Sequence, residues 1–501
     1  MTMNQVNTLY CHASIRPDGI AFIQGEDAWS YERLTIAVNH LARGLINRGV
    51  QKGERVALHM HNVPELAIAY YACFKIGAIA ATLDTQLTVA ELTPILRRLQ
   101  PVLYIGQTSL YREIIDLDPS ILASDARYVV GDNIPSGQAW NDLLDDNGSK
   151  VDDLNFDVNA PAVLLCTWDP TDGPKFITHT LNTMSATAEL SAHARIDGDQ
   201  VVMVAMPMVH ASGFAVFFAA MWCGAQIILI ERFNTNAVLD AVELHRVTWF
   251  AGLPLMLPQL IECQRKQPRE TLSLQTCIVI SGETFSPRVQ QDFDDHFGTP
   301  LHLLCGSTEA LGSLTFGLER GSMSRVVHGA EVRLANEHGI SVQVGEIGEL
   351  LIRGSNVTVG YWDAPGVIRD ATEGGWYRTG DLMREDDKGN LWFVARKKDM
   401  IVGGSNNLRT EIECAPVNDT VLKYAGMVGI PNDLLGLGNI GYVQLLEAPR
   451  APQLRGAISR GGEKVRKDWR SSIRSRIMRL ANRSERAVGK TLAPKARGVI
   501  V

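Results

Sequence analysis

The chain has 501 residues, of which 46% are apolar and 21% are charged, and its formal net charge is −7 at pH 7. A chain of this length is too long for one hydrophobic core, so the sequence predicts a globular protein of two or three domains. The negative net charge gives no reason to expect nucleic acid or an anionic membrane as a partner.

The cysteines argue against a disulfide framework and against a structural zinc site. There are eight of them, and no two form a C-x-x-C pair. Such scattered thiols are typical of a reducing compartment. The first residues lack the apolar run of a signal peptide, so the expected location is the cytoplasm.

Helical and strand patterns alternate over the first hundred residues. The apolar spacing predicts a helix over 29–50, with Ser30 as its cap and Gly49 at its end. The elements that follow are a strand at 55–60, a helix at 64–76, a strand at 77–83, a helix at 89–99 and a strand at 102–106. Alternation of this kind predicts a mainly parallel sheet covered by helices on both faces.

The stretch 134–160 is polar and rich in turn residues, which predicts an exposed connection before an apolar strand at 162–167. The next notable stretch, 201–230, carries no formal charge. A membrane-spanning helix needs about 20 continuous apolar residues. Because prolines, glycines and His210 interrupt this stretch, we expect a strand, a loop, a buried helix at 214–222 and a second strand instead.

Alternation of strands and helices resumes after residue 244, with a strand at 276–280, and residues 331–394 become rich in strand patterns. Beyond residue 398 the sequence predicts short strands at 426–430 and 441–446 and a basic helix near 463–480. The fold class is therefore α/β, with a large domain at 1–397 that includes a β-rich subdomain at about 331–397. A small α+β domain is expected at 398–501.

Residues 375–413 combine features suited to a nucleotide. Asp381 follows a Thr-Gly pair that predicts a tight turn, where a carboxylate can accept hydrogen bonds from two vicinal hydroxyls. A charged break at 396–399 and a glycine loop beginning at Gly403 follow. A carboxylate that can bind a sugar, followed by a hinge and a glycine loop, indicates that a nucleotide binds at a domain boundary.

The segments WYRTGDL (376–382) and ARKKDMIVGGSNN (395–407) closely resemble two core motifs of the adenylate-forming enzymes, which include acyl-CoA synthetases, peptide-synthetase adenylation domains and luciferases. The resemblance implies that Asp381 binds the ribose hydroxyls and that Arg396 contacts ribose and phosphate. It also implies that Lys398 is a hinge about which the small C-terminal domain moves as a lid.

The stretch 167–175 resembles the phosphate loop of that family at Thr167, Thr171, Pro174 and Lys175. The resemblance implies that this loop surrounds the triphosphate of ATP. Two acids, at positions 169 and 172, stand where the family has glycines, and carboxylates repel a triphosphate. A plain surface turn is the alternative interpretation.

Two segments nearer the middle of the chain also resemble family motifs. The loop 208–213 is similar to one whose histidine borders the acid and the adenylate, which implies that role for His210. A buried core histidine is the alternative. The segment that contains Gly282, Glu283 and Thr284 resembles the one that lines the adenine.

The segment 304–309 is close to the family's Y-G-x-T-E motif. By resemblance, Gly306 and Thr308 adjoin the nucleotide, Thr308 holds phosphate and Glu309 ligates Mg²⁺, a cation that prefers oxygen ligands. Cys305 stands where the family has a tyrosine that stacks on adenine. Near the end of the chain, 486–490 resembles the motif whose lysine meets the α-phosphate, and this implies a catalytic role for Lys490. The segment before it is shorter than usual, so whether Lys490 reaches the site stays open.

One motif indicates a different nucleotide site. Residues 436–441 fit G-x-G-x-x-G, which binds dinucleotides only where it closes a strand and opens a helix. The residues that follow, GYVQLLEA, predict a strand, and this argues against such a site.

The resemblance predicts an ATP-dependent carboxylic acid ligase that uses Mg²⁺, forms an acyl-adenylate and transfers the acyl group to coenzyme A. His210, Phe214, Phe250, Gly252 and Leu253 are expected to line the acid pocket, where we see no Arg or Lys to hold a second carboxylate. A monocarboxylic acid with an apolar body, fatty or aromatic, is therefore expected. One alternative is an amide-forming ligase with an amine acceptor, and another is a catalytically impaired relative. The oligomeric state is open, with a homodimer as one option.

Overall fold

The computed structural model describes residues 3–132, 134, 136–146, 157–169, 173–185, 194–280, 287–316, 322–326, 330–397, 422–432, 436–445 and 499–500. The chain divides into two compact units, Met1–Val394 and Ala395–Val501. The domain boundary that we place after residue 397 stays a prediction.

The helices whose bounds the structure describes all belong to the first unit. They are α1 (Gln5–Ile15), α2 (Tyr31–Asn47), α3 (Pro64–Ile76), α4 (Val89–Leu99), α5 (Thr108–Tyr111), α6 (Ala211–Cys223), α7 (Thr235–His245), α8 (Met256–Lys266) and α9 (Pro287–Phe297), with short 3₁₀ turns at Ser124–Ala126 and Trp140–Leu143.

The strands of the first half are β1 (Ile20–Gln24), β2 (Asp27–Ser30), β3 (Arg55–His59), β4 (Ile79–Thr82), β5 (Leu103–Gln107), β6 (Arg127–Val130), β7 (Gln138–Ala139), β8 (Pro161–Asp169), β9 (Gly173–Thr180), β10 (Val201–Val204), β11 (Gln226–Leu229) and β12 (Trp249–Gly252). The strands of the second half are β13 (Thr276–Ile280), β14 (Leu301–Ser307), β15 (Ala310–Phe316), β16 (Met323–Val326), β17 (Ala330–Ala335), β18 (Ile347–Gly354), β19 (Gly360–Ala364), β20 (Val367–Arg369), β21 (Thr372–Glu373), β22 (Trp376–Glu385), β23 (Leu391–Arg396), β24 (Leu422–Asn432), β25 (Gly436–Leu445) and β26 (Val499–Ile500).

Helix α2 begins and ends close to the predicted positions. Ser30 caps it by accepting a hydrogen bond from the backbone N–H of Arg33 at 3.1 Å, and Gly49 lies just beyond its end with a φ of 83°. The predicted start at Trp29 was wrong, because Asp27–Ser30 pairs with β1 as a strand. Local pairing with a neighbouring strand thus determines where the helix begins.

The first sheet has the order β20-β19-β9-β8-β4-β3-β5-β6-β7 among the described strands. Pairing from β8 through β4, β3, β5 and β6 to β7 is parallel. The β8–β9 hairpin and β19 extend the sheet in antiparallel fashion. We refer to this as the nine-stranded sheet.

The second sheet has the order β17-β18-β22-β23-β16-β15-β14-β13-β12-β10-β11-β1-β2, with β21 paired to β22, which makes fourteen described strands. Its strands are parallel from β1 through β11, β10, β12 and β13 to β14. Beyond β14 the pairing is antiparallel. The expected β-rich subdomain is thus continuous with a parallel sheet, and the change of direction occurs where β14 turns into β15.

The uncharged stretch 201–230 folds as β10, α6 and β11, and the phenylalanines of α6 are fully buried in the main core. Among the described residues, no helix is both long enough and apolar enough to cross a membrane. The stretch is apolar because α6 is enclosed by other elements, as expected for a helix that is hydrophobic on all sides.

The prediction that 134–160 forms an exposed connection was wrong at residues 138–143, although several other described residues of this stretch are exposed. Residues Gln138–Ala139 join the nine-stranded sheet, and both Trp140 and Leu143 are buried. In the second unit, the G-x-G-x-x-G residues 436–441 lie inside β25, which confirms the predicted strand and leaves no helix opening there. The predicted basic helix near 463–480 lies outside the described residues.

Candidate functional site

Thr308 and Glu309 form the short turn that joins β14 to β15 in the fourteen-stranded sheet. The Thr308 carbonyl oxygen accepts a hydrogen bond from Nε2 of His179 at 2.8 Å. The Glu309 carbonyl oxygen accepts one from the backbone N–H of Thr358 at 2.6 Å. The Tyr361 hydroxyl donates to Oε1 of Glu309 at 3.1 Å. All three donors come from the nine-stranded sheet or from the segment just before β19, so this turn is held by the neighbouring sheet.

The protonation states around this turn follow from burial. Burial lowers the pKa of His179 to about 4, so the ring is neutral at pH 7 and the carbonyl acceptor identifies Nε2 as its protonated nitrogen. Burial, reinforced by the charge of Glu309, raises the pKa of Tyr361 and of Tyr377. Both phenols therefore stay protonated and can only donate toward the carboxylate.

A cavity of about 210 Å³ lies between the first half of α6 and strands β12, β13 and β14. Most of its wall is apolar, and its polar edge is formed by His210, Ser212, Ser307 and Thr308. The described residues that line it are Ala194, Ile196, His210, Ala211, Ser212, Ala215, Val216, Trp249, Ile278, Ile280, Leu304, Gly306, Ser307, Thr308 and Leu311. The cavity therefore ends beside the turn that carries Glu309.

His210 lies immediately before α6, and its Nε2 is 3.6 Å from Oδ2 of Asp84. Asp84 follows β4 of the nine-stranded sheet. Burial alone would raise the pKa of Asp84, but the contact with His210 and the hydrogen bond from the Gln86 N–H outweigh it and lower the pKa. An ionised carboxylate therefore lies next to the one histidine among the described cavity residues.

Asp381 is buried in β22 at a β-bulge. The register between β18 and β22 shifts here, and Gly380 adopts a φ of 74°, which favours glycine. The Gly380 N–H donates to Oε1 of Glu349 at 3.3 Å, and the Asp381 N–H donates to Oγ1 of Thr379 at 3.0 Å. The predicted tight turn is therefore corrected to a bulge inside a continuous strand, a feature that commonly redirects a neighbouring side chain.

The predicted phosphate loop is the end of the β8–β9 hairpin. Thr167 lies opposite Lys175, and Asp169 lies opposite Gly173. The strand that we expect to end at residue 167 runs on to Asp169, because the antiparallel partner continues the ladder. Lys175 thus belongs to a strand, while Thr171 lies outside the described residues.

Residues 11–362 match the AMP-binding enzyme family. The chain belongs to this family.

The sequences of several relatives align with most of the length of this AMP-binding enzyme. A 2-succinylbenzoate–CoA ligase of Bacillus pumilus is 28% identical over 447 residues, which cover 87% of either chain. A medium-chain fatty-acid–CoA ligase of Escherichia coli is 28% identical over 458 residues, covering 87% of this chain and 80% of that one. The solved structure of an anthranilate CoA ligase in complex with anthranoyl-AMP superimposes with a TM-score of 0.82 at 20% identity, over 91% of this chain and 90% of that one. The last comparison shows a shared fold.

The structure of this AMP-binding enzyme brings part of the predicted site together. His210, Gly306 and Thr308 line the same cavity, and Glu309 directly follows Thr308. Cys305 lies in β14, and Arg396 is the last residue of β23. The remaining predicted site residues lie outside the described part of the chain: Thr171, Gly282, Glu283, Thr284, Lys398 and Lys490.

The predicted acid-pocket residues do not match the cavity except at His210. Phe214 packs against Tyr70 and Phe218 in the main core. Phe250 points away from the cavity and packs into a separate core on the other face of β12. Its neighbour Trp249 lines the cavity instead. Successive side chains of a strand point to opposite faces, so one of these two aromatic residues had to face away from the cavity. Gly252 and Leu253 are likewise absent from the described lining.

Proposed function

We propose that this AMP-binding enzyme is an acid–CoA ligase for a compact monocarboxylic acid. The acid is first joined to AMP with release of pyrophosphate, and the acyl group then passes to the thiol of coenzyme A. The named relatives that match along most of the chain are CoA ligases, which supports this activity. The single structural observation that supports the substrate is the apolar cavity that ends beside Thr308 and Glu309.

The cavity suits the body of the acid. Small-molecule sites commonly measure roughly 300–1,000 Å³, so a cavity of about 210 Å³ favours a short-chain or single-ring acid over a long-chain one. None of its described lining residues is a lysine or an arginine, which disfavours a second carboxylate. The polar edge at Ser307 and Thr308 would receive the one carboxylate.

The chemistry explains why a nucleotide site should adjoin this edge. In the first step a carboxylate oxygen attacks the α-phosphorus of ATP, and the bond from that phosphorus to pyrophosphate breaks. In the second step the thiol sulfur attacks the acyl carbon, the bond to AMP breaks, and the thiol proton is released. Both steps need the reactants held in line, which is the main contribution that positioned groups make to such reactions.

Glu309 fits a cation that arrives with a triphosphate better than a resident metal ion. Among the described residues, no group of three His, Cys, Asp or Glu side chains could hold a metal. Mg²⁺ is usually held by one or two carboxylates together with substrate phosphates and waters. We propose that Glu309 supplies that carboxylate and that Asp381, Arg396, Lys175 and Lys490 contact the nucleotide. A bound Mg²⁺ would neutralise charge on the phosphates.

The test is acid-dependent exchange of pyrophosphate into ATP, with butanoate, octanoate, hexadecanoate, benzoate and 2-succinylbenzoate as candidate acids. We expect exchange with the compact monocarboxylic acids and CoA thioester formation when coenzyme A is added. Exchange followed by amide formation with amino acids, but not with coenzyme A, would favour the amide-forming alternative. Binding of ATP without exchange for any acid would favour a catalytically impaired relative. A cytoplasmic location and a homodimer stay predictions.

A further inference from the structure

Tyr361 reaches Glu309 from a different sheet. It lies in β19 of the nine-stranded sheet, opposite Ile177 of β9, whereas Glu309 lies in the turn between two strands of the fourteen-stranded sheet. Its hydroxyl donates to Oε1 of Glu309 at 3.1 Å. This hydrogen bond therefore restrains the Glu309 side chain by a donor that belongs to the nine-stranded sheet.

Tyr361 is itself well supported. The guanidinium of Arg369 lies 5.0 Å from the centre of its ring, and Thr358, just before β19, donates from its hydroxyl to the Thr178 carbonyl oxygen at 2.6 Å. The Glu309 backbone is held on both sides by Thr358 and, through Thr308, by His179. With the backbone fixed, the Tyr361 phenol engages Oε1, and the Tyr377 phenol also hydrogen-bonds to the Glu309 side chain.

A carboxylate has two oxygens, and a hydrogen bond to one of them competes with metal binding at that oxygen. Ca²⁺ accepts both oxygens of a carboxylate and takes six to eight ligands, while Mg²⁺ requires a near-octahedral set and often takes one oxygen from each carboxylate. We infer that Tyr361 is a positioning residue that commits Oε1 of Glu309 to a hydrogen bond, so that the carboxylate can give at most one oxygen to a cation bound with ATP, and that it thereby favours Mg²⁺ over Ca²⁺. This inference rests on the proposed role of Glu309 as a metal ligand.

The experiment measures binding of a non-hydrolysable ATP analogue by calorimetry, with either Mg²⁺ or Ca²⁺, to the full chain. The unmodified protein should bind the analogue more tightly with Mg²⁺. In Tyr361→Phe the ratio of the Mg²⁺ affinity to the Ca²⁺ affinity should fall by about tenfold or more, because one hydrogen bond to a charged group is lost. Tyr104→Phe is the matched control, because it removes another hydrogen-bonded phenol, that of a buried residue whose partner is His59. Tyr104→Phe should lose about as much thermal stability as Tyr361→Phe, and it should keep the preference for Mg²⁺ over Ca²⁺.

Glu309→Gln distinguishes a failure of the proposed metal-ligand role of Glu309 from a failure of the inference about Tyr361. If it abolishes the metal dependence of analogue binding while Tyr361→Phe leaves the Mg²⁺ to Ca²⁺ ratio unchanged, the inference about Tyr361 is wrong and the role of Glu309 stands. If Glu309→Gln leaves the metal dependence intact, both the proposed ligand role and the inference are overturned. A reduced ratio in Tyr361→Phe alone, with Tyr104→Phe unchanged, supports the inference.

Discussion

His179 shows how a buried polar residue can serve a site without lining it. The ring is fully buried, donates through Nε2 to the Thr308 carbonyl oxygen at 2.8 Å, and contacts Oγ1 of Thr183 through Nδ1 at 3.1 Å. A buried donor and acceptor that are both satisfied stabilise one arrangement of the surrounding chain. Here the arrangement is the turn that carries Glu309.

His179→Leu should destabilise the protein and slow adenylate formation. Leucine leaves the Thr308 carbonyl without this donor, and an unsatisfied buried group costs roughly 1–3 kcal/mol. His179→Gln keeps an N–H donor of similar reach and is expected to recover part of both losses. Urea unfolding and pyrophosphate exchange measure the two effects. Equal rates in both variants and in the unmodified protein would contradict the assigned role.

Asp381→Ala should weaken ATP binding and adenylation. The carboxylate is proposed to accept hydrogen bonds from the ribose hydroxyls, and hydrogen bonds to a charged group are worth roughly 1.5–3 kcal/mol each. Asp381→Asn serves as the control, because it keeps the shape and loses the charge, so its loss should be smaller. Unchanged Michaelis constants for ATP in both variants would show that Asp381 does not contact the nucleotide.

The bulge in β22 allows a test of backbone conformation separate from side-chain chemistry. Gly380 has a φ of 74° and Gly366, in the turn between β19 and β20, has a φ of 76°. An added Cβ would meet no atom within 4 Å at either position. Because a left-handed conformation costs a non-glycine residue about 1–2 kcal/mol, Gly380→Ala and Gly366→Ala should destabilise the protein equally.

Only Gly380→Ala should also weaken ATP binding, because relief of the strain would redirect the neighbouring Asp381. Thermal unfolding and binding of an ATP analogue, measured on both variants, give the comparison. An equal effect of the two substitutions on ATP affinity would indicate that the bulge does not position Asp381.

At the level of elements, local patterns predicted most strands and helices of the first unit. Helices Pro64–Ile76 and Val89–Leu99 and strand Thr276–Ile280 match the predicted bounds. The bulge at Gly380 was missed because a Thr-Gly pair suits a turn and a bulge equally well. From the sequence, Phe250 was expected to line the acid pocket, whereas Trp249 lines the cavity. Side chains alternate between the two faces of a strand, but this pattern does not say which face borders the site.

At the level of the whole molecule, the sequence predicted parallel sheets but not how distant strands join. Strand β1 pairs with β11, and β19 joins the hairpin of β8 and β9. Periodicity describes one segment at a time, so it carries no information on such partners. The Tyr361–Glu309 contact, between segments from different sheets, could not be predicted for the same reason.

The stability of the protein should fall as the pH falls from about 6.5 to about 4. Burial lowers the pKa of both His59 and His179 from 6.5 to about 4. Between these values the unfolded chain binds protons that the folded chain does not, so unfolding becomes easier. By pH 5 each histidine should contribute a loss of roughly 2 kcal/mol.

Urea unfolding at pH 7 and at pH 5 measures this effect. His59→Gln and His179→Gln should each reduce the difference between the two pH values, since glutamine does not titrate. An unchanged free energy of unfolding between pH 7 and pH 5 in the unmodified protein would contradict burial of the two neutral rings.

Strand β9 carries Lys175 near one end and His179 near the other. Its ladder with β8 is regular between them, so the two side chains share one face at a separation of roughly 13 Å. One residue inserted between them would place Lys175 and His179 on opposite faces, and two would restore the face but add about 7 Å. The spacing between a proposed phosphate contact and the support of Glu309 is therefore fixed by the number of residues in this strand, and insertions here should be far less tolerated than insertions in surface turns.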